Sequence, residues 1–270
     1  MPELIVEASD LRKNFDSNAV LRGVSFELAK GETLVVMGGS GAGKTVLLRL
    51  VAGLIRPDGG RLTVFGRSIE NLTEEALLPL RRRMGYVFQS AALFDSLSVH
   101  DNVAYPLREH TSLGEAEIDE RVVRNLSVVG LSSEVLPLLP SELSGGMRKR
   151  VGIARALSVE PEMLLFDEPT AGLDPTNSKL VADLMLDLRG GVCDTAMVVT
   201  HDLELARTVA DRVAVLIAGQ FAALGPADEV LSGHNPAVQA FLAGGAAPSG
   251  TPQPGAGRGK QGQGMRGSRW

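Results

Sequence analysis

The chain has 270 residues, 44% of them hydrophobic and 22% charged, with a single cysteine, Cys193. That composition supports an ordinary globular core; it excludes a chain disordered throughout, a disulfide scaffold and, for want of any long apolar run, a membrane-spanning helix. The formal net charge is −5, and without the four basic residues of the acid-free segment 244–270 it is −9 (23 basic against 32 acidic), which argues against general nucleic-acid binding.

The opening Met1-Pro2-Glu3 lacks a basic region followed by an apolar one, so no secretory signal is expected and a cytoplasmic location is. Leu4–Leu11 and Val20–Leu28 read as strands, and Gly31-Glu32 as a turn. Leu34–Met37 is a short apolar run suited to a strand covered on both faces. A glycine-rich loop follows, and then Leu47, Leu48, Val51 and Leu54 recur at helical spacing. Arg61–Phe65 and Gly85–Phe88 read as strands. Val99–Leu139 reads as mostly helical, with Pro106, Pro137 and Pro140 as breakers. Met147, Val151, Ala154 and Leu157 form one helical stripe. Met163–Phe166, Thr195–Thr200 and Val213–Ala218 are apolar strands, with a helix over Leu180–Leu188. Alternating buried strands and helices predict an α/β layer with a largely parallel sheet. From residue 244 onward nine of 27 residues are glycine, three are proline and only Met265 and Trp270 are large and apolar, which predicts a disordered basic tail.

Gly38-Gly39-Ser40-Gly41-Ala42-Gly43-Lys44-Thr45 matches the phosphate-loop pattern G-x-x-x-x-G-K-[ST], between an apolar strand and a helix. Its glycines let backbone N–H groups turn toward phosphate oxygens, and the helix N-terminus adds positive potential. Lys44 is the expected ligand of the β- and γ-phosphates, and Thr45 of Mg²⁺. Asp167 and Glu168 end the apolar run Met163–Phe166. Downstream of a phosphate loop, such an Asp is expected to hold Mg²⁺ and the next Glu to act as general base for an attacking water. Leu143-Ser144-Gly145-Gly146-Met147 opens another helix. Ser144 is a favourable N-cap, and two bare glycines beside it make a second anion-binding helix start, 100 residues beyond Lys44. Cys193 reads as a small buried apolar residue, and Gly85 and Pro106 as backbone devices.

With these elements in this order, residues 4–243 resemble the ATP-binding cassette (ABC) ATPases. The resemblance implies a P-loop NTPase fold with a RecA-like, mostly parallel sheet, an N-terminal antiparallel β-subdomain and an α-helical subdomain inserted at about 99–156. It implies that Ser144, Gly145 and Gly146 form the signature motif, which meets the γ-phosphate of ATP held by a second subunit in a head-to-tail homodimer. Gln89 matches the glutamine loop that senses Mg²⁺ and the γ-phosphate. Asp174, in Ala171-Gly172-Leu173-Asp174, matches the D-loop, and His201 the switch histidine beside the γ-phosphate and the attacking water. Phe15 matches the aromatic that stacks on adenine, a position often held by Tyr.

Met147 stands where most ABC transporters have Gln. With Phe88–Phe94, Asp101–Glu109 and Gly43–Leu48, it resembles the ATPase of Mla-type and Mce-associated lipid transporters. The implied partners are an integral permease, a Mce-domain substrate-binding protein and a STAS-domain protein, with membrane contact only through the permease. The alternatives are an ABC transporter of amino acids or lipoproteins, a soluble ABC protein of DNA repair or the ribosome, and a nucleotide-binding regulator. The short insertion, the single cassette, and Glu168 with His201 weigh against the last three.

Overall fold

The computed structural model describes residues 2–233 and 235–243. The tail expected from residue 244 lies outside them. Strands β1 (Leu4–Phe15), β2 (Asn18–Ala29), β4 (Gly59–Val64) and β5 (Arg67–Ser68) form an antiparallel sheet in the order β2-β1-β4-β5. A second sheet, in the order β10-β9-β3-β8-β7-β6, comprises β3 (Thr33–Met37), β6 (Met84–Val87), β7 (Met163–Asp167), β8 (Ala196–Thr200), β9 (Arg212–Ile217) and β10 (Gln220–Pro226). All its pairings are parallel except that of the edge strand β10 with β9.

The central strands β3, β7 and β8 are buried at every position because both faces are covered, and their polar residues Thr33, Asp167 and Thr200 stand at strand ends. Leu34 and Val36 of β3 enter one hydrophobic cluster, with β1, β2 and helix α1 (Lys44–Val51). Val35 and Met37 enter a second cluster on the opposite face. That second cluster includes helices α3 (Val99–His110), α4 (Glu115–Val128) and α5 (Gly145–Leu157), which lie between β6 and β7 in sequence. Helix α2 (Glu74–Arg81) precedes β6; α6 (Pro175–Leu188), α7 (Leu203–Val209), α8 (Ala227–Ser232) and α9 (Pro236–Leu242) complete the elements of the described residues. This is the α/β architecture expected: an antiparallel β-subdomain, a mostly parallel core sheet and inserted helices.

Two local expectations are corrected. Pro106 does not break its helix; it lies inside α3. A helix-interior proline costs about 3 kcal/mol. Val99, Val103, Ala104 and Leu107 are fully buried around it, and that burial outweighs the lost hydrogen bond. Leu54 does not continue the α1 stripe. The chain turns at Gly53, whose φ is +64°, and Leu54 is left 46% exposed. Gly85 is a close-packing position, since a Cβ there would approach the Ala156 carbonyl oxygen to 2.7 Å. Cys193 is buried as expected.

Candidate nucleotide site

The phosphate loop leaves the C-terminal end of β3 and leads into α1. Its geometry requires glycine at two positions in particular. A Cβ on Gly38 would lie 2.5 Å from the Leu216 carbonyl oxygen of β9. Gly43 has φ +105° and is wedged against Val20 and Leu21 of β2. Gly39, Ser40 and Gly41 are exposed, Ala42 is half-buried, and a Cβ on Gly39 or Gly41 would meet nothing, so this rim is open to a ligand. Phe15 is also exposed, at the hairpin joining β1 to β2. It pairs with Asn18, two residues before the Val20 that touches Gly43, and Lys13 Nζ lies 5.4 Å from its ring centre.

The buried Lys44 ammonium donates to the carbonyls of Gly38 (2.8 Å) and Gly39 (3.2 Å) and pairs with Glu168 Oε1 at 3.1 Å. Thr45 Oγ1 donates to Asp167 Oδ1 at 2.8 Å. Of the three residues expected at Mg²⁺, Thr45 and Asp167 are therefore adjacent, and Gln89 makes no hydrogen bond to either. Among the described residues no group of three or more His, Cys, Asp or Glu is arranged to hold a metal ion by itself. One hydroxyl and one carboxylate beside a phosphate loop fit Mg²⁺, which keeps several waters and shares its shell with phosphates. Glu168 follows β7 with φ +47° and is buried. Its Oε2 accepts from His201 Nδ1 at 2.9 Å and from Thr200 Oγ1 and the His201 N–H, both at 3.3 Å. Lys44, Thr45, Asp167, Glu168 and His201 thus form one connected constellation at the ends of β3, β7 and β8.

Gln89 lies in the exposed turn after β6. Ser144 caps α5, accepting from the Met147 N–H at 3.2 Å. Gly145 is half-buried, and Gly146 packs so closely on Asn177 that a Cβ would fall 2.4 Å from its Oδ1. Asp174 caps α6 by accepting from the Asn177 N–H at 3.0 Å, and the Asn177 side chain with that N–H holds its carboxyl below the usual range. Within one chain, then, the residues expected to form the signature motif and the D-loop neighbour each other. Ser144 and Asp174 serve as helix caps, whereas Glu168 directly contacts both Lys44 and His201.

Three residues that sequence reasoning did not single out also shape the site. Tyr86 donates to Asp167 Oδ2 at 3.3 Å, and burial beside that carboxylate pushes its phenol well above its usual range. Lys149 donates to the main-chain carbonyls of Gln89 and Glu168. Asp202 caps α7 and accepts from Thr170 Oγ1 at 2.9 Å, tying the segment after His201 to the one after Glu168. Nothing in their sequence neighbourhood signals these contacts, which span 19 to 81 positions.

A family model described as ABC transporter matches residues 21–171. A probable ribonucleotide transport ATP-binding protein, mkl, of Mycobacterium leprae is 38% identical over 239 residues, covering 88% of this chain and 69% of that protein. A methionine import ATP-binding protein, MetN, of Brucella abortus is 42% identical over 239 residues, covering 64% of its own length. The chain thus spans about two thirds of these curated relatives. A dimeric ATP-binding cassette in a post-hydrolysis state, bound to ADP and phosphate, superposes with a TM-score of 0.77 at 29% identity, over 82% of this chain and 98% of that one.

Proposed function

The chain belongs to the ABC transporter family, and from that premise we propose that it binds MgATP, pairs head to tail with a second copy and hydrolyses ATP to drive a membrane permease. The observation that carries the hydrolytic reading is Glu168, a buried carboxylate held between Lys44 and His201, beside the Thr45–Asp167 pair. Lys44 exchanges Glu168 for phosphate oxygens as ATP enters, which leaves the carboxylate free to accept a proton. Thr45 and Asp167, with Gln89 as the sensing side chain, would hold Mg²⁺, which would supply charge neutralisation at the phosphates. The water oxygen bonds to the γ-phosphorus, its proton passes to Glu168, and the bond to the bridging oxygen breaks. His201 steadies the water and the γ-phosphate. Ser144, Gly145 and Gly146 meet the γ-phosphate held by the opposite copy, Asp174 lies across the same dimer, and Phe15 stacks on adenine.

For the transported substrate the reading is phospholipid or another lipid, through a permease accompanied by a Mce-domain protein and a STAS-domain protein. Met147 and the segments Phe88–Phe94 and Asp101–Glu109 support it. A groove of about 440 Å³, lined by Phe88, Phe94, Tyr105, Arg82 and His110, joins both segments and offers the permease an apolar floor with a basic rim. No described helix is long and apolar enough to cross a membrane, so in this reading the chain works from the cytoplasmic face. The named relatives favour a second reading, import of methionine or transport of a ribonucleotide. Purifying the chain from its own membranes and identifying the attached permease and lipids by mass spectrometry separates the two. A permease accompanied by a Mce-domain protein supports lipid transport; a methionine or nucleotide permease without one overturns it.

A further inference from the structure

Helix α5 carries a buried cation whose hydrogen-bond partners are main-chain carbonyls. Lys149 is 6% exposed, and among the described residues no carboxylate lies within ion-pair distance of its ammonium. It donates to the carbonyl of Gln89 and, at 3.2 Å, to that of Glu168, which the Ala171 N–H also reaches at 3.1 Å. Desolvating a lysine without a carboxylate partner is costly, and here the two carbonyls that it joins offset that cost. Both belong to irregular backbone. Gln89 lies in the turn after β6, flanked by the groove residues Phe88 and Ala92, and Glu168 has φ +47° just past β7. The same face of α5 grips the following residues. Gly152 packs directly on Ala91, a Cβ there lying 3.2 Å from the Ala91 Cβ, and Arg155 donates to the carbonyls of Ala91 and Ala92, both at 2.8 Å.

We propose that Lys149 is a positioning residue for hydrolysis: by hydrogen bonding it fastens the main chain of Gln89 to that of Glu168, fixing the groove-side segment relative to the carboxylate that accepts the proton. The proposal rests on the hydrolytic reading of Glu168 given above. Lys44, Thr45 and the phosphate loop lie outside the clamp, so loss of the clamp shifts the base and the Gln89 segment while the principal phosphate contacts remain. A displacement of about 1 Å at a reacting group costs on the order of a hundredfold in rate.

The test uses the full-length chain and its Lys149→Met and Lys149→Gln variants, with ATP turnover and binding of a non-hydrolysable ATP analogue as readouts. Methionine keeps the length and removes the donors; glutamine restores an N–H₂ group without charge. Lys149→Met is expected to lower kcat by roughly ten- to a hundredfold while KM and analogue affinity change less than about twofold, and Lys149→Gln is expected to recover most of that loss. An unchanged kcat in Lys149→Met overturns the proposal, as does a matched loss of kcat and analogue affinity. If Lys149→Met does not fold, Lys149→Gln decides alone: near-wild-type kcat supports the clamp, and a kcat lowered tenfold or more with affinity intact overturns a hydrogen-bonding role. A wild-type chain that binds the analogue without turning over ATP overturns the reading of Glu168 itself, which separates that failure from failure of the clamp.

Discussion

Lys44 Nζ and Glu168 Oε1 lie 3.1 Å apart, with both side chains less than a tenth exposed. The lysine expected to hold phosphates and the carboxylate expected to activate water are thus each other's partners. Glu168→Gln removes the proton acceptor and leaves Lys44 its two carbonyl partners at Gly38 and Gly39. The variant is expected to bind ATP and lose about 10²–10⁴ in turnover. Measuring kcat beside equilibrium nucleotide binding checks it; undiminished turnover would show that another group accepts the proton.

Within one chain Ser144 caps α5 and Lys44 pairs with Glu168; in the proposed head-to-tail dimer each composite site takes Lys44 from one copy and Ser144 from the other. Lys44→Ala and Ser144→Arg should each abolish turnover alone. Mixed, they form heterodimers in which one site carries both lesions and the other carries neither. Partial ATPase activity should return on mixing. Heterodimers that form and stay inactive would sink the head-to-tail arrangement.

Asn102 is fully buried and holds the loop before α3, accepting from the Phe94 N–H and donating to the carbonyls of Phe94, Leu97 and Ser98. Asn102→Ala strands several part-buried backbone groups, at about 1–3 kcal/mol. Since 1 kcal/mol shifts Tm by roughly 2–4 °C in a domain of this size, calorimetry should show a drop of several degrees, with affinity for ATP retained. A Tm within about 1 °C of wild type would mean that water replaces the side chain.

Burial pushes the Cys193 thiol from 9.0 up to about 11. A native chain at pH 8 should therefore react with a disulfide reagent far more slowly than the denatured chain. Between pH 9 and 11 the unfolded thiol has lost its proton while the folded one keeps it, so this group makes stability fall as pH rises through that window. Denaturant midpoints across the range, compared with Cys193→Ala, isolate the effect. A midpoint that falls equally in both proteins would assign the loss to other groups.

What the sequence alone determined is what short stretches of chain determine by themselves. Gly38–Thr45 states its own loop, because the backbone angles and close approach there admit glycine and because a helix must follow. Leu34–Met37 and Met163–Phe166 declare themselves as strands covered on both faces, since an unbroken apolar run has no side to give to water. Ser144 announces a helix start, because its hydroxyl meets an N–H three residues on. Only the tertiary structure decided the rest. It kept Pro106 inside a helix, because the burial of Val99, Val103, Ala104 and Leu107 on the same helix outweighs one missing hydrogen bond. It brought Tyr86 to Asp167 and Lys149 to Gln89 and Glu168 across contacts of 19 to 81 positions. A hydrogen bond requires only that two atoms meet in space, and which atoms meet is set by how β6, β7 and α5 pack, a relation that no spacing along the chain encodes.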